Sequence, residues 1–337
     1  MAEITSISQF LSTAKTQFQV YDLGRRVQHI DAMAFAQIEA LQAPYPYPIQ
    51  GHAKMALVFW DASEQHFVWF ISLPLDERGL LSPAPRSQFI QMILEALGQD
   101  LTRTLSEDEQ QKMANHPFSF KPTQEKLAIF NALVRRHLGR AASSQYEFAA
   151  QYLSGQLPAE SWPNVGFQGL ADICVRLGEL DHAAIVARAL NNAPMEVQIA
   201  LCQCLEHVLV SDEVKDALLA GLEEYRDARL IYFLRALGSQ SDASVQAIAT
   251  LTEKRLLTEE VLICIAGRNW LALRDDVCRK NFLEALALMP QDFFNQVFAD
   301  IVAIPALRTS MLMAIRDPNR SDALSLAIGG LFKATKS

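Results

Sequence analysis

At 337 residues the chain is longer than one ordinary hydrophobic core serves, so two domains are expected. Half of it is apolar and a fifth is charged, a balance that excludes wholesale disorder. The formal charge is −8, with 8 basic against 13 acidic residues in 1–120 and 22 against 25 in 121–337, so neither part carries the basic footprint of backbone-driven nucleic-acid binding.

The first hundred residues mix periods. MAEITSISQF has neither a positive nor an apolar leader region, so no secretory signal is expected. ITSISQFLSTA reads as a short amphipathic helix with Ile7, Phe10 and Leu11 on one face. FQVYDL alternates and is rich in aromatic and branched residues, which suits a strand. DAMAFAQIEAL follows as a helix with Asp31 as its N-cap. The prolines of APYPYPIQG break it. MALVFW and HFVWFISL, joined by DASEQ, read as a β-hairpin. SQFIQMILEALG then reads as a helix with Phe89, Ile90, Ile93, Leu94 and Leu97 on one stripe and Gly98 as its C-cap. The order α-β-α-β-β-α predicts a small α+β domain over 1–100, an antiparallel sheet backed by helices.

Residues 101–122 read as a connector, with a Ser106-x-x-Glu109 capping box followed by the proline-broken NHPFSFKP. From 123 to 337 the apolar spacing is helical throughout. LADICVRL, LCQCLEHV, LIYFLRAL and LICIAGRN start at Leu170, Leu201, Leu230 and Leu262, spacings of 31, 29 and 32 residues. Each is followed by a second apolar helix: HAAIVARAL, VKDALLAGL, VQAIATL and VCRKNFLEAL. VFADIVAI reads as a degenerate fifth block. A helix pair cannot bury its apolar stripe alone, whereas stacked pairs can. The expected fold class is therefore an α+β N-terminal domain followed by an all-α, HEAT-like α-solenoid, with an irregular bundle as the alternative.

The most function-like stretch is SLPLDERGLL, residues 72–81. Pro74 ends a strand, and Asp76 with Gly79 fits a type I turn. The same turn presents Asp76, Glu77 and Arg78 as a charged knob for a partner or ligand. Length, the Pro74–Glu77 element and the helical remainder together resemble an uncharacterised gammaproteobacterial family of about 340 residues, marked by a Leu-Asp-Glu triplet, here Leu75, Asp76 and Glu77. That resemblance implies no activity.

GRNWLALRDDVCRK places Arg268, Asn269, Trp270, Arg274, Asp275 and Asp276 where a helical hairpin turns, either as a solvated loop with Trp270 tucked inward or as a partner contact rich in hot-spot residue types. Arg226, Arg229, Tyr232 and Arg235 surround an apolar stripe and could hold a phosphate backbone, although Glu223 and Glu224 precede them. Cys202 and Cys204 lie on opposite helix sides; Cys204, His207 and Cys174 could together hold a metal, or be buried small apolar residues. The five cysteines, Cys174, Cys202, Cys204, Cys264 and Cys278, sit in apolar helical patterns, so reduced thiols and no disulfides are expected, in the cytoplasm. No apolar run reaches the ~18 residues of a membrane span. Motifs for a nucleophile elbow, a P-loop, a zinc protease or a dinucleotide are absent, so no catalytic residue, metal or cofactor is assigned.

Three functions follow in order. The first is a non-enzymatic adaptor that binds a protein partner through the helical surface and its loops. The second is an enzyme or small-ligand binder with a site between the domains, using Asp76, Glu77 and His66. The third is nucleic-acid binding through residues 226–235.

Overall fold

The computed structural model describes residues 6–61, 65–97 and 116–334. It divides into two compact units, one comprising Met1–Thr123 and Ala303–Ala306 and one comprising Gln124–Val302 and Leu307–Ser337. The chain is mainly helical, with a small four-stranded antiparallel sheet in the first unit. The expected capping box at Ser106 and the C-cap at Gly98 lie outside the described residues.

In the first unit the described elements are α1 Ile7–Thr13, β1 Gln17–Asp22, β2 Gln28–Ile30, α2 Ala32–Glu39, β3 His52–Trp60, β4 His66–Pro74 and α3 Pro83–Leu97. The sheet order is β2-β1-β3-β4, antiparallel throughout. Ile7, Phe10 and Leu11 of α1 are buried as their spacing requires, and Asp31 caps α2 by accepting from Met33 N and Ala34 N. Alternate strand residues Val20, Met55, Leu57, Phe59, Ile71 and Leu73 form one buried face with α1, α2 and α3. The intervening Tyr21, Ala56 and Val58 are buried too, which explains why MALVFW is apolar without alternation.

Two elements differ from the expectation. β2 is three residues long, and its polar Gln28 and His29 supply no alternation to read. α3 begins at Pro83, four residues before the expected start. Pro83 and Pro85 sit in the first turn, where a missing N–H costs nothing. Residues 116–120, at the end of the expected connector, run along the outer edge of β4: Ser72 N donates to Phe118 O at 2.7 Å, and Phe120 N to Phe70 O at 3.3 Å. They cover what would otherwise be a bare sheet edge.

Polar side chains tie this unit together. Glu39, at the end of α2, accepts from Ile7 N at 2.6 Å, from Ser8 N at 3.0 Å and from Ser8 Oγ. A carboxylate there satisfies orphan donors and opposes the positive end of α1. Asp22 is buried and accepts from Tyr45 Oη at 2.7 Å, Gly24 N at 3.0 Å and Arg25 N at 3.2 Å. Burial first, and then the Asp22 charge, pushes the Tyr45 phenol well above its usual range.

In the second unit the described helices are α4 Gln124–His137, α5 Tyr146–Leu153, α6 Phe167–Val175, α7 His182–Asn192, α8 Met195–Leu205, α9 Asp212–Glu224, α10 Arg229–Ala236, α11 Ser241–Glu253, α12 Glu259–Gly267, α13 Asp276–Leu286, α14 Gln291–Ala303, α15 Pro305–Ala314 and α16 Asp322–Ala334. The four Leu-initiated blocks fall on α6, α8, α10 and α12, and their partner segments on α7, α9, α11 and α13. Packing follows two series. α4, α6, α8, α10 and α12 touch in that order, as do α5, α7, α9, α11 and α13. Leu230, Phe233, Leu234 and Leu237 are all buried.

Close approach of α9 and α10 depends on Gly221. A Cβ at that position would lie 2.3 Å from Phe233 Cε1, and Phe233 is itself fully buried. Gly221→Ala is therefore expected to destabilise the helical unit by about 1–3 kcal/mol, read as a lowered urea midpoint with an unchanged m-value.

Candidate functional site

The LDE turn is a self-contained loop. Leu75 pairs with Leu81. Asp76 N donates to Leu80 O, and Gly79 N to Asp76 O. Gly79 has φ +85°, a conformation that favours glycine. The Asp76 carboxylate accepts from Leu80 N at 2.8 Å, from Arg78 N at 2.9 Å and from the Arg78 guanidinium at 3.2 Å. The Leu80 amide, followed by the other Arg78 contacts, holds that carboxyl below its ordinary value. Such a carboxylate is a weak base and is already occupied. Arg78 (78% exposed) and Glu77 stand out in solvent. Gly79 O accepts from Tyr45 N at 2.8 Å, so the turn also clamps the proline-rich loop. Replacing Asp76 by alanine is expected to speed amide exchange at Arg78 and Leu80 and to leave helix content unchanged, which hydrogen-exchange mass spectrometry would show.

His66 and Asp76 do not meet. They flank opposite ends of β4, which at ~3.3 Å per residue separates them by roughly 26 Å.

The 267–280 stretch splits by role. Trp270 is 0% exposed and opens a 3₁₀ turn, Trp270–Arg274, packed against α11, α12 and α13. Asn269 is buried and donates to Leu234 O at 2.8 Å and Ser244 Oγ at 2.9 Å, bonds that tie the turn to the preceding helices. Asp275 caps α13 through Cys278 N at 2.8 Å. Asp276 pairs with Arg279. Trp270 and Asn269 thus face inward, and Arg274 and Asp275 remain at the surface.

Arg268 leads to a group that sequence reading missed. Glu206, just past the end of α8, has a fully buried side chain. Arg235 of α10 donates to it with Nε and, at 3.0 Å, with Nη2. Arg268, just past α12, brings Nε to 3.3 Å from the same Oε2 that takes Arg235 Nε. His207 Nε2 lies 3.0 Å from Oε1. Burial alone would raise the Glu206 carboxyl, but His207, Arg235 and Arg268 outweigh it and hold it far below the carboxylate range. Burial likewise lowers the His207 imidazole, against the pull of Glu206. The signal available in the sequence was position: Glu206, Arg235 and Arg268 fall at the ends of three successive Leu-initiated blocks.

α8 ends at Leu205, and the His207 ring, two residues past it, lies against Glu206. Among the described residues no group of three His, Cys, Asp or Glu side chains is placed to hold a metal. All five cysteines are free and buried. Burial raises the thiols of Cys202, Cys204, Cys264 and Cys278, the last two to about 12, so they stay protonated.

The arginines of 226–235 are similarly engaged. Arg226 donates to the carbonyls of Leu222, Glu223 and Tyr225 at the end of α9. Arg229 pairs with Asp227 and lies 3.6 Å from the Tyr225 ring centroid. No helix among the described residues is long and apolar enough to cross a membrane.

A family model described as protein of unknown function, DUF3549, matches residues 2–332. The chain belongs to that family. It is the uncharacterised family of about 340 residues that the sequence resembles. Nothing among the curated proteins or the solved structures matches the chain.

Proposed function

We propose that this DUF3549 member is a non-enzymatic interaction protein whose HEAT-like α-solenoid recognises a partner protein, with the exposed Glu77 and Arg78 of the LDE turn as a second contact. One observation carries the reading: between residues 198 and 271, five side-chain bonds join neighbouring helical units at offsets of 29 to 31 residues, while Asn269 reaches Leu234 across 35. Arg229 donates to Gln198 across 31 residues, Ser239 to Val208 across 31, Gln240 to Val210 across 30, Ser241 to Leu271 across 30, and Arg235 to Glu206 across 29. Like helices meet like helices in both series. An array of that kind presents extended surfaces and edge loops for binding. The catalytic reading draws no support from Asp76, whose carboxylate is occupied by its own turn, and the nucleic-acid reading draws none from arginines already paired or capping.

The test is affinity capture from native lysate at physiological salt, comparing the wild type with Arg274→Glu and Arg78→Glu, both exposed in the wild type. Retention of a defined protein by the wild type and its loss from one of the variants, with unchanged circular dichroism, is the expected result. Equal capture by all three, or none by the wild type, overturns it.

A further inference from the structure

We propose that Arg235 and Arg268 together form an acceptor site for a carboxylate of an acidic peptide segment on a partner protein. This rests on the interaction reading above and names the chemistry of the partner.

The cluster has more cation than its own carboxylate neutralises. Two guanidinium groups converge on one oxygen of Glu206, and among the described residues Glu206 is the acidic side chain that forms an ion pair with either of them. The Cys264 thiol stays protonated and Lys126 adds to the positive field felt at His207. Neither arginine is fully withdrawn: the Arg235 side chain is 21% exposed and that of Arg268 24%. Their hydrogen bonds use only part of the fork. Arg235 gives Nε and Nη2 to Glu206, and Arg268 gives Nη1 to Gly267 O. Arg235 Nη1 and Arg268 Nη2 carry no hydrogen bond among the described residues.

Each of these two guanidinium groups, drawn to the same Glu206 oxygen, keeps a donor unused, and a carboxylate has two oxygens to accept them. Glu206 and the Tyr232 ring, 5.7 Å from the Arg235 guanidinium, hold the fork in place before any ligand arrives. Little side-chain entropy then remains to be lost on binding. A nucleic acid is a poor occupant. It presents a phosphate charge every ~1.7 Å along its axis, whereas this site offers one uncompensated positive charge on a chain of net charge −8.

The experiment titrates the full chain, isotopically labelled at arginine, with a capped hexaglutamate peptide at low salt and, separately, with inorganic phosphate, following arginine Nε resonances. Saturable shifts of Arg235 and Arg268 with the peptide are expected, with affinity at least tenfold weaker in Arg268→Gln and unchanged in Arg274→Gln. Arg268→Lys, which keeps the charge and loses the fork, is expected to fall between them and guards against a folding artefact. Absence of a shift, or equal affinity in Arg268→Gln and wild type, overturns the proposal. Phosphate displacing the peptide at equal concentration overturns the peptide assignment. Should the peptide fail while Arg274→Glu or Arg78→Glu still abolishes lysate capture, the interaction reading stands and this site alone falls.

Discussion

Replacing Glu206 by alanine is expected to destabilise the helical unit by about 3–5 kcal/mol, because it strands two guanidinium groups that the fold has partly removed from water. The carboxylate is fully buried and is contacted from α10 and from the residue after α12, so its loss loosens three successive blocks at once. The Lys254–Glu223 pair is the natural control, since both side chains are substantially exposed. Glu223→Ala should shift the urea midpoint by an amount corresponding to less than ~1 kcal/mol. Midpoints that move equally in the two variants would show that the buried cluster holds nothing together.

The same cluster sets the direction of pH dependence. The folded Glu206 carboxyl titrates below its ordinary value of 4.5, so on acidification the unfolded chain takes up the proton first and stability is lost as pH falls through 4.5 and below. His207 is also lowered, from 6.5, so the unfolded imidazole protonates before the folded one and stability falls as pH drops below 6.5. Both contributions have the same sign, and the unit is expected to be more stable at pH 7 than at pH 5. His207→Gln should flatten the upper part of that slope, and Glu206→Gln the lower part. A pH-independent urea midpoint between pH 4 and 7 would contradict both assignments.

Truncating Trp270 to alanine is the second large effect, at about 3–5 kcal/mol for a fully buried indole. Trp270 is fully buried in a turn packed against α11, α12 and α13, so truncation removes a large side chain from the interior. Trp270→Phe keeps most of the ring volume and should cost less than half as much. Circular dichroism and urea unfolding of the two variants give the comparison. Equal and small effects would mean that the turn, rather than the indole, is what packs.

Trp270 also shows how a surface-contact reading goes astray. Trp and Arg in a polar hairpin turn have the composition of a binding hot spot. The 3₁₀ turn, however, rotates the indole inward, and Asn269 anchors the turn to Leu234 and Ser244. The LDE turn was more legible, because Asp and Gly three residues apart specify a turn through local bonding alone, and those bonds are what occupy Asp76. The short β2 left no signal because three residues cannot display a period, whereas the hairpin of β3 and β4 did. The start of α3 was concealed by prolines that break a helix interior but suit its first turn.

Local interactions determined what the sequence alone could establish: helix stripes, the Asp31 cap, the hairpin and the LDE turn. They act within a few residues of one another, so order along the chain reveals them. Only the tertiary structure decided which polar side chains are spent and which are available. Glu206, Arg235 and Arg268 are 29 and 33 residues apart in turn and meet only because successive helices stack. Periodicity specifies which stripe of each helix is covered. The rotation and offset between stacked helices, which bring one carboxylate under two arginines, come from side-chain packing that no single helix contains.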